Sequence, residues 1–99
     1  MAYVALEGDM SAGESGFPPT QSIGEYSVNT KINGKYVQLK GVTKYAAHTN
    51  GVIVHSADDR IVVTGSNTMN IEGHSVGRIG DMLLDGDTIA TGSSDTNIG

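Results

Sequence analysis

The sequence predicts a small all-β fold of short strands and tight hairpins, folded as one domain over residues 1–99. Val, Ile and Thr, which favour strands, are mixed with Gly, Asn and Ser, which favour turns. Glycine supplies 14 of the 99 residues, and leucine occurs only at positions 6, 39, 83 and 84. The chain also repeats one short unit. These three observations predict strands of about five residues, with little helix.

The repeated unit is clearest in two segments that align without a gap, SVNTKINGKYVQLKGV (Ser27–Val42) and SNTMNIEGHSVGRIGD (Ser66–Asp81). A truncated third copy is SSDTNIG (Ser93–Gly99). One position of the alignment is isoleucine in all three copies: Ile32, Ile71 and Ile98. The chain therefore carries about two and a half copies of one structural unit.

Each complete copy predicts a hairpin. Asn33-Gly34 is the strongest two-residue hairpin signal in the chain. Glu72-Gly73 takes the same position in the second copy and predicts the turn there. In that copy we assign one face to the alternating positions Met69, Ile71, Ser75, Gly77 and Ile79. The truncated third copy predicts one last strand.

Two other segments depart from the repeat. Ser11–Ser22 contains both prolines and predicts an ordered loop or a strand edge. The segment from Lys44 to Asp59 connects the two main copies and contains two of the three histidines. Because a chain of this size buries a modest core, we expect a metal or a partner to add stability.

Composition excludes several classes of function. A net charge of −5 with six basic residues argues against nucleic acid and against an anionic membrane surface. No stretch is apolar enough to span a bilayer, and the first residues lack a secretory signal. The absence of cysteine excludes disulfides and thiolate ligands. We therefore expect synthesis in the cytoplasm without Sec export.

Several motifs together resemble one family. The segments INGKYVQLKGV and IEGHSVGRIGD, with the pairs Gly65-Ser66 and Gly80-Asp81, resemble the PAAR-repeat family. The opening segment is also similar, with Gly8-Asp9 as its leading pair and the phage-like stretches FPP and KYAAH. Neither motif position reads Pro-Ala-Ala-Arg, and Val42 stands where Asp is usual. The resemblance covers nearly the whole chain.

The resemblance implies a small conical fold whose triangular base caps a trimeric β-helical spike protein, one copy per trimer. Such a tip sharpens the spike and contacts the target cell envelope transiently. The implied location is the tail baseplate of a virion, after synthesis in the host cytoplasm. A bacterial protein delivered by a type VI-like secretion system is the alternative. Because nothing flanks the repeats, we expect no effector domain.

The resemblance also implies a metal site. Family members commonly hold one metal ion near the apex through His and Cys ligands. Matching the family positions onto this chain gives Glu14, His48, His55 and Asp85. Imidazole and carboxylate ligands suit one zinc or iron ion. Loss of the cysteine is equally compatible with loss of the metal, and His74 is expected to be exposed.

Two other functions remain open. The first is a small β-rich module that binds a carbohydrate or a metal, although one Phe, four Tyr and no Trp provide few aromatic platforms. The second is a metal-dependent hydrolase using His48 and His55. Catalysis also requires a pocket, and no Ser-His-Asp spacing or phosphate-binding loop is present. We therefore expect no enzymatic activity. The acidic DGD at Asp85–Asp87 predicts a turn rather than a calcium loop.

Overall fold

The computed structural model describes residues 2–99, so Met1, the first residue of the predicted domain, lies outside it. The all-β class is confirmed. Within the described range there are ten short strands and one 3₁₀ helix at Ala57–Arg60, and no helix is long and apolar enough to cross a membrane. The strands are β1 (Ala2–Tyr3), β2 (Ser22–Gly24), β3 (Lys31–Ile32), β4 (Lys35–Tyr36), β5 (Lys44–Tyr45), β6 (His48–Thr49), β7 (Val54–His55), β8 (Asn70–Ile71), β9 (His74–Ser75) and β10 (Asn97–Ile98).

The strands are shorter than expected because extended segments change partners every few residues. All pairs are antiparallel and two-stranded: β1–β10, β2–β5, β3–β4, β6–β7 and β8–β9. The segment from Ala2 to Met10 pairs in turn with β10, Arg78, Val37 and Gln21. The Ser11–Ser22 segment is held by isolated bridges, as expected for an ordered loop.

The two predicted hairpin turns are present. At both turns the two central residues have positive φ, 54° and 76° for Asn33-Gly34 and 55° and 83° for Glu72-Gly73, as a type I′ turn requires. The predicted face in the second copy is wrong. Asn70 pairs with Ser75 across the two-residue turn, so Ser75 and Gly77 do not share the face of Ile71. Instead, Val76 packs with Ile71 in the core.

The truncated third copy is completed by the start of the chain. β10 pairs with β1, placing Ile98 opposite Ala2. In the other hairpins the equivalent isoleucines face Lys35 and His74. Counting onward from Ala2 places Val4 at the position of Val37 and Val76. The described chain therefore contains three complete copies, one of them assembled from its two ends.

The three copies surround a pseudo-threefold axis. Their backbones close a ring of three hydrogen bonds, in which Ala5 N–H donates to Gly77 O at 2.9 Å, Gly77 N–H to Gln38 O at 2.9 Å, and Gln38 N–H to Ala5 O at 3.0 Å. A second set of bridges has the same symmetry: Val4 with Arg78, Val37 with Leu6 and Val76 with Leu39. Each copy thus makes the same contacts with its neighbour.

The core follows this symmetry. The first cluster is built from equivalent positions of the three copies, and its buried members are Val4, Leu6, Val37, Leu39, Ile71 and Val76. Burying each of these aliphatic side chains contributes about 1.5–3 kcal/mol. A second cluster contains Ala5, Tyr45, Val62, Leu83 and Ile89. The molecule is elongated, with extents of 38 × 23 × 21 Å.

Val42 stands where the other two copies have an aspartate, and the neighbouring Thr43 makes the hydrogen bond that the aspartate makes there. In two copies an aspartate closes the turn after the ring, since Asp9 accepts from Leu6 N–H at 2.7 Å and Asp81 from Arg78 N–H at 2.8 Å. In the first copy Thr43 Oγ1 accepts the equivalent bond from Leu39 N–H at 3.0 Å. The hydroxyl of the following residue therefore satisfies the same buried amide.

Candidate metal centre

The two histidines of the connecting segment face each other across a hairpin. His48 on β6 pairs with His55 on β7, seven residues later. The Nε2 atom of His48 lies 2.9 Å from the Nδ1 atom of His55. The side chain of His48 is fully buried, whereas that of His55 is 22% exposed. The hairpin thus brings two imidazole nitrogens close enough to bind the same ion.

Two carboxylates converge on the same point. Asp85 Oδ2 lies 3.1 Å from both His48 Nε2 and His55 Nδ1. Glu14 Oε2 lies 4.0 Å from His55 Nδ1. One ligand atom from each of the four residues lies within 4.8 Å of the others. The fold therefore brings together the four residues proposed from sequence, and this group can hold a metal ion.

The distances fit a metal with a small adjustment. Tetrahedral zinc with bonds of about 2.0–2.2 Å separates its ligand atoms by about 3.3–3.6 Å. The atoms of His48, His55 and Asp85 are 2.9–3.1 Å apart, so they must spread by a few tenths of an ångström. Glu14 must move closer. Two imidazoles and two carboxylates are also a suitable donor set for zinc or iron.

The ring of His48 is oriented for ligation. Its Nδ1–H donates to the carbonyl of Pro18 at 3.0 Å, which leaves a lone pair on Nε2 directed into the cluster. Phe17 stacks on His55, with ring centroids 4.2 Å apart and an interplanar angle of 10°. The FPP stretch noticed in the sequence thus holds both imidazoles. Glu14 lies three residues before this stretch, and its backbone pairs with that of Phe17.

Sequence reasoning missed Arg60, which lies at the centre of the cluster. Its side chain is completely buried at the end of the 3₁₀ helix. Its Nη1 atom lies 2.6 Å from His48 Nε2 and 2.7 Å from Asp85 Oδ2. Arg60 follows Asp58 and Asp59 in the sequence, and three consecutive charged residues are typical of a solvent-exposed turn. No local signal in the sequence indicates its burial, because its partners are distant along the chain.

The electrostatics of the cluster favour a cation. Burial raises the pKa of Asp85, but a hydrogen bond from Asp87 N–H and the adjacent Arg60 guanidinium outweigh burial and hold that pKa below its usual range. Arg60 contacts the carboxylates of Asp85 and Asp87, and the carboxylate of Glu14 belongs to the same ligand group as Asp85, so three carboxylates share the one positive charge of Arg60. A divalent cation would balance the two remaining negative charges.

Other candidates lie outside this centre. His74 is exposed, as expected. Asp58 forms an exposed pair with Lys44, which lowers the pKa of Asp58. A cavity of about 280 Å³ is lined by Leu6, Asp9, Asn33, Lys35, Gly92, Ser93 and Ser94, so none of the four cluster residues belongs to it. No protein-family model matches the chain, and no curated protein sequence matches it.

Proposed function

We propose that this chain is the tip of a contractile-tail or secretion spike and caps a trimeric β-helical spike protein, one copy per trimer. The observation that supports this function best is the pseudo-threefold ring of Ala5, Gln38 and Gly77. A trimeric partner presents three identical edges around its axis. A monomer matches all three only if it offers three equivalent edges of its own, and the three copies provide them.

The mode of contact follows from the hairpins. Within residues 2–99, β3–β4, β8–β9 and β1–β10 are each two-stranded sheets with no further strand beside them. Open edges of this kind pair readily with another strand. Strand addition at the end of a β-helix therefore supplies backbone hydrogen bonds to both partners, and the tip covers edges that would otherwise attract other chains.

An apolar hairpin supports transient contact with the target envelope. The loop between β6 and β7 contains Val52 and Ile53, and β7 begins at Val54. The exposed fractions of these three residues are 89%, 54% and 66%. Asn50 Oδ1 accepts from the amides of Val52 and Ile53 at 2.9 and 2.7 Å. Because the loop satisfies these amides internally, they remain hydrogen-bonded when the loop enters an apolar phase.

The metal in this proposal joins parts of the fold and takes no part in catalysis. One zinc or iron ion is held by His48 Nε2, His55 Nδ1 and Asp85, with Glu14 as the fourth ligand. The ion links the β6–β7 hairpin to two loops that are distant along the chain. The site belongs to a folded module rather than to a reaction centre, so we expect no catalytic activity.

The proposed location is the baseplate spike of a virion, after synthesis in the host cytoplasm. Delivery by a type VI-like secretion system remains the alternative. Both locations use the same surface of the protein, because each system carries a trimeric β-helical spike. The proposal therefore concerns the capping interaction rather than the host.

Isothermal titration of the chain into the trimeric β-helical spike fragment encoded in the same genome tests this function. We expect a complex at micromolar concentrations, and none with a fragment that lacks its terminal β-helical turns. Absence of binding to the intact fragment would contradict the capping function. A glycan array tests the alternative, a carbohydrate-binding module, which predicts selective glycan binding without spike binding.

A further inference from the structure

Arg60 occupies the coordination sphere that a metal would use. Its Nη1 atom contacts His48 Nε2 at 2.6 Å and Asp85 Oδ2 at 2.7 Å. We propose that Arg60 is a built-in cation, which holds these two ligands in place without a metal, and that a metal binds by displacing Nη1 from His48. This inference rests on the proposed metal site and assigns a role to a residue outside its ligand set.

The guanidinium is anchored independently of the cluster. Its Nε–H donates to the carbonyl of Ala46 at 2.9 Å. Its Nη2 lies 2.9 Å from Ser11 Oγ, 3.0 Å from Thr20 Oγ1 and 3.3 Å from Asp87 Oδ2. Every nitrogen of this fully buried side chain therefore has an acceptor, and Arg60 joins segments that are far apart in sequence.

The two ligands respond differently to a metal. An imidazole nitrogen has one lone pair, so His48 Nε2 cannot accept from Arg60 and bind a metal at the same time. A carboxylate oxygen has two lone pairs, so Asp85 Oδ2 can keep its bond to Arg60 and still act as a ligand. Metal binding therefore breaks one hydrogen bond of Arg60 and leaves the remaining contacts in place.

The charge of Arg60 has two consequences. Without metal, it is the cation that contacts both Asp85 and Asp87, so the fold persists when the metal is removed. With metal, it stands next to a second cation, which weakens binding compared with the same ligands beside a neutral side chain. Arg60 thus lowers the affinity of the site for a metal and stabilises the fold when no metal is bound.

The test uses a double variant, Arg60→Met with Asp87→Asn, which removes Arg60 together with Asp87, one of its two carboxylate partners, keeps the net charge, and leaves Asp85 as a metal ligand. The matched control is Arg78→Met with Asp81→Asn, a salt bridge of 3.0 Å that does not contact the cluster. Zn²⁺ affinity is measured by calorimetry, and Tm is measured with and without chelator. For the Arg60 double variant we expect Zn²⁺ to bind at least about tenfold more tightly than to the original chain. The control should keep the original affinity.

The Tm values provide the second readout. The original chain should keep its Tm within a few degrees on chelation, whereas the Arg60 double variant should lose Tm or fold only with Zn²⁺. Arg60→Lys, which retains the charge, should fold without Zn²⁺ and keep an affinity near the original. Equal or weaker Zn²⁺ binding by the double variant would overturn the role of Arg60, as would unfolding of the original chain on chelation. Failure of all variants to bind Zn²⁺ or Fe²⁺ would overturn the metal site as well, without affecting the spike titration.

Discussion

The amide of Ser93 donates to the carbonyl of Val4 at 2.7 Å, which joins the two ends of the chain in one repeat. The same bond connects Ser27 to Val37 at 2.9 Å and Ser66 to Val76 at 2.8 Å. Three equivalent serines thus close three equivalent copies. A chain with about two and a half copies in sequence becomes a molecule with three copies around one axis.

Gly92 provides a test of this closure. A methyl group at Gly92 would lie 2.6 Å from the carbonyl oxygen of Val4 and 3.0 Å from Ile79. Gly92→Ala should therefore destabilise the fold by about 2–3 kcal/mol, measured by urea denaturation. Gly77→Ala is the control, because its nearest contact would be 3.4 Å and the equivalent residue in another copy is Ala5. Equal losses for the two variants would contradict the packing described for the third copy.

The Arg60–Asp85 pair predicts a pH dependence. Asp85→Asn removes one partner of a buried pair, since the two side chains are 0% and 2% exposed, and should cost about 3 kcal/mol at pH 7. The pKa of Asp85 is lower in the folded state, so its stabilisation is complete above the unfolded pKa of about 4 and is lost as pH falls through the folded value.

Urea denaturation of both proteins between pH 7 and pH 2 measures this effect. We expect the difference in unfolding free energy between the original chain and Asp85→Asn to shrink below about pH 4. A difference that stays constant or grows on acidification would show that the charge of Asp85 does not stabilise the fold.

The histidine pair predicts the metal stoichiometry. His48→Ala with His55→Ala removes two of the four ligands, and equilibrium dialysis against Zn²⁺ should show a fall from one bound ion per chain to none. His74→Ala is the matched control, because His74 is exposed and lies outside the cluster. Retention of one ion by the double variant would place the metal elsewhere.

The apolar hairpin predicts lipid binding without a structural role. Val52→Ser with Ile53→Ser should leave Tm unchanged and should lower partitioning into phosphatidylcholine vesicles about tenfold, because two exposed apolar side chains are lost. Val28→Ser, at an equally solvent-facing valine of another loop, should have little effect on partitioning. If Val28→Ser reduces partitioning as strongly, the β6–β7 hairpin is not the lipid-contacting element.

The sequence predicted the local parts of this fold better than its closure. Asn33-Gly34 and Glu72-Gly73 specify their turns through residues that are adjacent in the chain, so both hairpins could be located. The pairing of Ile98 with Ala2 could not be foreseen. Ala2 and Tyr3 carry no turn signal, and their partner strand lies at the opposite end of the chain.

In the candidate site, the four ligand residues could be predicted from the sequence, whereas Arg60 could not. Resemblance of motifs placed His48, His55, Glu14 and Asp85 in one group, and the fold brings these residues together. Arg60 could not be predicted, because an arginine after two aspartates is usually solvated. Its burial depends on acceptors from Ser11, Thr20, Ala46 and Asp87, which only the folded chain brings together.

Native mass spectrometry of the chain mixed with the trimeric β-helical spike fragment tests the central claim most directly. A pseudo-threefold monomer on a threefold axis predicts a complex of one copy with three spike chains, even when the chain is in excess. Three copies per trimer would show that each spike chain binds separately, and the absence of any complex would show that the threefold surface has another use. Either of these results would contradict the proposed capping function.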